Sequence, residues 1–414
     1  GEHAVASGWV QRAHRLLTGL DPGPKHAMLA IWEGHMALMV HHDTATARRL
    51  SAEAAALAGS LGAVDLEMLT QALHGFALVS AGDVEGGMRL LDEATAAAVA
   101  RDMSDLDAIT TTCCYLIYAC ERVRDYGRAA QWCDKVMQLS ARWSYRLMFS
   151  LCRTHYAGVL MWRGAWPDAE AQLTAATDEL AATHPAMAVE GIVRLAELRR
   201  RQGRVAEAAA LFGRLDDYPL RMLGSDLALL GRAAPALDQD DPTTAAELAE
   251  RFLRGLPAED RLERVAGLEL LVRAQAALSD HAQAAGTLNA LRTIATAIAT
   301  PPLRGSAAFC EGVVAVAGGD DETARRRFED AVDLFERSGA PYETARSRLE
   351  LARVLAALSR SDAAAKEARA ALDSFDKLRA TPEKDRAVAL LRQLDAARHG
   401  PAGTPRAVAG LTQR

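Results

Sequence analysis

A small residue recurs in this chain at a nearly constant interval of about 40 residues. The ten positions are Ala6, Ala47, Gly87, Ala129, Ala169, Ala208, Ala245, Ala284, Ala324 and Ala364. Five residues before each of them the apolar pattern breaks, at Gly1, His42, Gly82, Arg124, Gly164, Gly203, Asp240, Ser279, Gly319 and Ser359. A fixed period of this size predicts a stack of two-helix units, because one hairpin cannot bury its own apolar face. We expect the two helices of a unit to cross at the small residue, since a larger side chain would push the backbones apart.

The composition favours long helices over sheets. Aromatic residues make up only 5% of the chain, which argues against a β-rich fold. The formal net charge of -6 gives no general attraction to nucleic acid. At 414 residues the chain exceeds one ordinary core. The sequence therefore predicts an all-α, right-handed solenoid of about ten helical hairpins, the first of them incomplete.

Three segments are distinguished along the chain. Residues 1–398 are predicted to form the repeat domain, which ends in a capping helix that begins near Pro382. Residues 399–409 contain several glycines and prolines and are predicted to be a flexible linker. Gly1 falls at the break inside a hairpin, and the chain has no initiator methionine. We therefore expect the chain to be part of a longer protein.

The local pattern inside a unit is a small residue in the first helix, glycine at the turn, and alanine followed by an aromatic residue in the second helix. Gly312, Gly319, Ala324 and Phe328 give one clear example. This pattern resembles the tetratricopeptide repeat, although the period exceeds the 34 residues of that repeat. The resemblance implies that the first helix of each unit lines a concave groove.

The last five residues, 410–414, read Gly-Leu-Thr-x-Arg and follow the Gly/Pro-rich linker. This segment resembles the start of a LuxR-type helix-turn-helix domain, in which Thr412 caps the first helix. The segments 1–9, 16–17, 340–346 and 371–375 are similar to the helical-repeat region of large bacterial LuxR-family regulators. The resemblance implies a domain that senses a ligand or partner and controls an attached DNA-binding domain. DNA would be bound only through that missing domain, and a homodimer is a possible state.

The sequence has no pattern typical of an active site, a cofactor site or a metal site. It contains neither a Gly-x-Ser-x-Gly nor a His-Glu-x-x-His motif, and no phosphate-binding loop. The six cysteines form no Cys-x-x-Cys pair, and we expect them to be buried thiols: Cys113, Cys114, Cys120, Cys133, Cys152 and Cys310. His41 and His42 are predicted to lie in a turn. We expect a protein that is not an enzyme and uses no cofactor.

The chain carries no sign of a membrane or export segment. No apolar run approaches the ~20 residues of a membrane span. The start of the chain is polar and lacks the pattern of a signal peptide. We therefore expect a cytoplasmic protein.

Counting back from the break residues gives candidate groove residues on the first helices of three successive units. Aromatic and arginine side chains are the types that anchor partners in grooves. The candidates are Tyr118, Arg122, Thr154, Met161, Trp162, Glu190, Glu197, Arg200 and Arg201. Two interpretations of Tyr118 and Trp162 stay open, partner binding and the filling of gaps between units. The basic run 199–201 is typical of a solvated helix end.

Two functions of different classes fit this sequence, and a third ranks below them. The leading hypothesis is the regulatory domain of a LuxR-type transcriptional regulator. A protein, peptide or small-molecule effector in the groove would bias the curvature or self-association of the solenoid and so the pairing of the DNA-binding domains. The alternative is a free-standing scaffold that binds peptides or assembles protein complexes. An enzyme would need catalytic groups with perturbed pKa values that converge in the groove.

Overall fold

The computed structural model describes residues 3–140, 146–215, 225–258 and 261–398. Within these ranges the chain forms twenty α-helices and no strand. The first ten are α1 (His3–Leu17), α2 (Pro24–Met39), α3 (Thr44–Leu61), α4 (Val64–Ala81), α5 (Val84–Ala100), α6 (Leu106–Arg122), α7 (Tyr126–Ser140), α8 (Arg146–Trp162), α9 (Trp166–Thr183) and α10 (Pro185–Arg201). The others are α11 (Val205–Arg214), α12 (Ser225–Asp238), α13 (Pro242–Gly255), α14 (Arg261–Ala277), α15 (His281–Ile298), α16 (Pro301–Ala317), α17 (Asp321–Arg337), α18 (Pro341–Ala357), α19 (Ser361–Leu378) and α20 (Thr381–Arg398).

These helices stack as consecutive hairpins. The described residues contain nine pairs, from α2–α3 to α18–α19, with α1 before them and α20 packed on α19 after them. The prediction of an all-α solenoid is confirmed. The predicted linker, 399–409, and the predicted start of a helix-turn-helix domain, 410–414, lie outside the described residues. No helix of the described part is long and apolar enough to cross a bilayer.

The break residue ends the first helix of each hairpin with a left-handed backbone. All nine described breaks have positive φ, from 53° at His42 to 103° at Gly82. At eight of them the next residue donates its N–H to the carbonyl five residues earlier, as Asp83 does to Leu78 at 2.9 Å. This arrangement satisfies carbonyls that the helix end would leave unpaired. The interruption of the apolar pattern therefore marks a left-handed turn, and residues other than glycine also adopt this turn here.

An aspartate frequently follows the break and starts the second helix. The Asp83 carboxylate accepts the backbone N–H of Gly86 at 3.0 Å, and five other hairpins use Asp43, Asp125, Asp241, Asp280 or Asp320 in the same way. An N-cap of this kind contributes about 1 kcal/mol to helix stability. Break and cap together fix the direction in which each second helix leaves the turn.

The periodic small residues lie where the helices of a hairpin touch. The eight described alanines of this set are at most 3% exposed. Gly87, the one glycine among them, is also buried. A Cβ on Gly87 would lie 2.9 Å from the backbone nitrogen of Val79 and closer still to the carbonyl oxygen of Gly75. The backbones of α4 and α5 are therefore in direct contact, as the sequence predicts.

The stack also curls so that early hairpins meet late ones. The Thr300 hydroxyl donates to the carbonyl of Val123, 177 residues earlier, at 2.7 Å. Gly164 and Pro341 are separated by the same number of residues, and a Cβ on Gly164 would lie 2.7 Å from the Pro341 ring. Contacts at one constant separation indicate that the superhelix closes on itself after between four and five repeats.

The expectation of six free thiols is wrong for two cysteines. Cys114 on α6 and Cys152 on α8 form a disulfide, and their Cα atoms are 5.8 Å apart. First helices of adjacent units lie side by side, so residues far apart in sequence come within the range that a disulfide spans. The other four cysteines are buried thiols, as expected.

Candidate functional site

Five successive first helices and the terminal helix α20 line one cavity of about 240 Å³. Its walls come only from α10, α12, α14, α16, α18 and α20, and no second helix of a hairpin contributes. Arg200, Asp238, Arg273, Phe309 and Arg346 represent the first five of these helices in the wall. The cavity therefore lies on the concave side of the solenoid, where the superhelix closes. There α18 and α20, which we call the closing turn, meet α10.

The cavity wall carries more positive than negative groups. Four arginines line it, at positions 200, 273, 346 and 386, with three carboxylates, at 238, 350 and 383. The Arg200 guanidinium donates two hydrogen bonds of 2.7 Å to Glu197 and pairs with Asp238. Arg386 is less tightly held, at 3.9 Å from Asp238 and 3.7 Å from Glu383. The Glu350 carboxylate binds Arg353 on its own helix, at 2.7 Å.

Arg273 differs from the other arginines of the wall. Among the described residues, none forms an ion pair or a hydrogen bond with its guanidinium. Burial and the nearby positive charge of Arg346 lower the pKa of Arg273 to about 10, against a partial opposing effect of Asp238. Arg273 is still charged at neutral pH. The cavity thus contains a cation whose charge the protein does not neutralise by direct contact.

Two aromatic rings and several aliphatic side chains form the apolar part of the wall. The Arg346 guanidinium lies 5.0 Å from the centre of the Phe309 ring and 5.8 Å from that of Tyr342. A guanidinium is attracted to the faces of aromatic rings at these distances. Arg346 also donates to Glu343 at 2.8 Å. The wall offers both planar donors and apolar surface, a combination typical of binding sites.

A second polar cluster lies on the same face, further toward the start of the chain. Arg194 on α10 pairs with Glu121 on α6 and donates to Glu190 at 2.5 Å. The His155 ring on α8 contacts the Glu121 carboxylate at 2.9 Å, and the Tyr118 ring packs on His155 with centroids 3.7 Å apart. Burial opposes ionisation of Glu121, but the charge of Arg194 and the contact with His155 outweigh it and hold the pKa at about 2.

This cluster has the composition of a metal site but the pairing of an ion-pair network. Glu121, His155 and Glu190 offer ligand atoms that lie within 4.8 Å of one another. Arg194 already binds both carboxylates, and its positive charge stands where a cation would be held. The cluster therefore joins α6, α8 and α10 by electrostatic contacts. The three residues lie on three different helices, so no spacing motif in the sequence reveals their convergence.

The candidate groove residues of the earlier units are used mainly for packing. The Thr154 hydroxyl is buried and donates to the Ser150 carbonyl at 3.0 Å. Met161 is 8% exposed and belongs to the core. The Arg122 guanidinium lies 4.7 Å from the Phe76 ring centre and pairs with Glu263 on α14. These three side chains stabilise the solenoid and do not line the cavity.

Trp162 lies between two turns of the superhelix. Its ring is 4.7 Å from that of Tyr126 and meets Phe335 edge-on at 6.3 Å. The Arg124 guanidinium is 5.3 Å from the same ring and binds Glu269 on α14 at 2.7 Å. These contacts correspond to the filling of gaps between units, while partner binding by Trp162 stays a prediction.

The basic run is not the solvated helix end that the sequence suggests. Arg199 is only 8% exposed and binds Glu170 at 2.5 Å. Arg201 binds Glu197 at 2.7 Å and stacks on Tyr342, with its guanidinium 4.5 Å from the ring centre. Acidic and aromatic partners on α9, α10 and α18 surround this helix end because the superhelix brings α18 against α10. Of the nine candidates only Arg200 lines the cavity itself.

The cavity residues of the later units follow the same register as the candidates of the earlier ones. Arg273 lies six residues before the break at Ser279, as Glu197 lies six residues before Gly203. Extending the count from the break residues to all units would have selected Arg273, Phe309 and others. The sequence could not show that these side chains converge, because the convergence depends on closure of the superhelix.

Comparison with known proteins supports the fold. No family model matches the chain, and no curated protein matches it. A crystal structure of Rap protein complexed with Competence and Sporulation Factor is similar, with 11% identity, a TM-score of 0.60, and coverage of 85% of this chain and 98% of that one. The apo form of the quorum sensor NprR from B. thuringiensis covers 84% and 97%, with 12% identity and a TM-score of 0.48. The chain has a tetratricopeptide-like helical-repeat fold.

Proposed function

We propose that this chain is a recognition module that binds an extended peptide along the concave face of its first helices. We call this face, together with the cavity in it, the channel. The observation that carries the proposal is the cavity lined by five successive first helices and α20, with arginines and aromatic rings in its wall. Consecutive helices present a continuous concave surface, which suits an extended chain better than a compact molecule. The similar Rap protein has been solved with Competence and Sporulation Factor bound.

We propose a role without catalysis for this channel. The Cys310 thiol is buried beside the cavity, and burial, with a further contribution from the charge of Glu269, raises its pKa well above the usual range. A thiol in that state is a poor nucleophile. The Glu197 carboxylate on this face is held ionised, because the charges of Arg200 and Arg201 lower its pKa against the effect of burial. Paired in this way, it supports stability and not proton transfer.

A valine pair on α16 provides the test. Val313 lines the cavity, whereas Val316, three residues later, is 44% exposed. A degenerate pool of eight-residue peptides would be incubated with the protein, and the bound fraction would be identified by mass spectrometry. We expect enrichment with the native chain and with Val316→Trp, but not with Val313→Trp, because the indole fills the channel. Equal enrichment with both variants, or none with the native chain, would contradict peptide binding in this channel.

We also propose that the module controls an attached DNA-binding domain, as in LuxR-type regulators. The similarity of residues 410–414 to the start of such a domain supports this proposal. A peptide in the channel would touch hairpins on both sides of the closing turn and so favour one degree of closure over another. The test is a protein extended beyond Arg414 through the adjoining reading frame. We expect DNA binding that changes when the peptide is added, and the absence of DNA binding by the extended protein would refute the regulator.

A further inference from the structure

The concave channel contains a positive charge that the fold itself does not explain. Burying an arginine is costly unless an acidic partner or hydrogen bonds compensate. Arg200 and Arg346 have such partners in Glu197 and Glu343, but no described residue pairs with Arg273. Arg273 is half-buried, so its charge is only partly solvated. An arginine at this place is explained if its partner is not part of the chain.

The surroundings of Arg273 favour an anion of a particular shape. The Arg346 guanidinium lies over the rings of Phe309 and Tyr342 and pairs with Glu343, so its position in the cavity wall is constrained. Two guanidinium groups that converge on one space repel each other unless an anion lies between them. Planar guanidinium donors match the two oxygens of a carboxylate in geometry as well as in charge. The cavity volume of about 240 Å³ accommodates a carboxyl group with its adjoining residue.

We propose that Arg273, assisted by Arg346, binds a carboxylate of the peptide in this channel. The carboxylate belongs either to the C-terminus of the peptide or to an aspartate or glutamate side chain. Its charge neutralises the cation that the wall leaves unpaired, and the peptide is thereby fixed in position along the channel. The inference rests on the proposed peptide binding and adds the chemical group that the channel selects.

The experiment compares peptides that differ only in their carboxylates. The eight-residue pool is made as free acid and as C-terminal amide, each with and without aspartate and glutamate. With the native protein we expect pools that carry the recognised carboxylate to bind about tenfold more tightly, or more, than pools without it. A preference for the free acid over the amide identifies the C-terminus. A preference that follows aspartate and glutamate identifies a side chain.

Arg273→Met is the decisive variant, with Arg251→Met as its matched control on the exposed surface of α13. We expect Arg273→Met to bind all pools with similar affinity, while Arg251→Met retains the native preference. Arg273→Lys keeps the charge but not the planar donors, so we expect an intermediate preference. Thermal unfolding checks the fold, and we expect the Tm of Arg273→Met to equal or exceed that of the native protein.

Two failures are distinguishable. Peptide binding by the native protein without any preference for a carboxylate, or a preference that survives in Arg273→Met, would overturn this inference and leave the recognition module intact. A native protein that enriches no pool would overturn the proposed function itself. A marked loss of thermal stability in Arg273→Met would also overturn the inference, because it would show that the Arg273 charge stabilises the fold.

Discussion

Replacing Gly87 with alanine tests the close crossing of helices on which the fold is built. Gly87 packs against Gly75 and Val79, where a Cβ would lie 2.9 Å from a backbone nitrogen and 2.7 Å from a Val79 methyl group. Because backbone atoms cannot rotate away as side chains do, α4 and α5 must separate. Overpacking of this kind costs about 1–3 kcal/mol. The other repeats carry alanine at the equivalent position, so their helices cross at a slightly larger distance.

A second glycine supplies the matched control. Gly286 lies inside α15, and a Cβ there would meet nothing within 4 Å. Both substitutions gain about 1 kcal/mol from the higher helix propensity of alanine. The difference in unfolding free energy between Gly87→Ala and Gly286→Ala therefore isolates the packing cost, about 1–3 kcal/mol.

Urea unfolding followed by circular dichroism measures this difference. We expect Gly286→Ala to be more stable than the native chain and Gly87→Ala to be less stable or unchanged. Equal stabilisation by the two substitutions would show that α4 and α5 are not in contact at Gly87, and the reasoning from periodic small residues would be refuted.

Three further predictions concern the ion-pair network at Arg194, the buried His35 and the disulfide. We expect Arg194→Met to lower the unfolding free energy by about 3–5 kcal/mol in urea titrations, since it removes the arginine that pairs with two largely buried carboxylates; a loss below 1 kcal/mol would contradict a buried network. Burial lowers the pKa of His35 to about 4, so the unfolded chain binds a proton at this residue before the native protein does. The unfolding free energy therefore falls by about 3 kcal/mol as pH decreases from 6.5 towards 4. We expect the Tm of His35→Phe to vary less with pH over this range than that of the native protein. Parallel plots of Tm against pH for the two proteins would refute this prediction. Reducing the bond between Cys114 and Cys152, which are 38 residues apart, should cost about 4 kcal/mol by loop entropy, and Cys114→Ser should remove the effect of the reductant on urea unfolding; an unchanged effect in that variant would contradict the assigned pairing.

The features that the sequence predicts best are those set within one hairpin. The break residues and the small crossing residues act over fewer than ten positions, and their period is visible without a structure. The left-handed turn at Arg124 is an example, since its position was predicted although arginine rarely adopts that backbone. The fold class can therefore be predicted from the geometry within single hairpins.

The features that could not be predicted from the sequence depend on contacts between repeats, adjacent ones as well as distant ones. The disulfide requires the spacing of α6 and α8. The burial of Arg199 requires Glu170 on the neighbouring α9. The convergence of Arg273 and Arg346 requires the closing turn, which no periodicity reveals. These contacts follow from the small rotation between successive hairpins, a quantity that accumulates over the whole stack and is not encoded at any one position.

Photochemical cross-linking tests the central claim most directly, because it reports where a peptide lies on the solenoid. The free-acid pool would carry a diazirine residue, and the labelled protein would be digested and mapped by mass spectrometry. The account predicts adducts on the first helices that line the cavity, α14, α16 and α18, and their loss in Val313→Trp. Adducts concentrated on the outer helices α13, α15 and α17, or unchanged labelling in that variant, would contradict it.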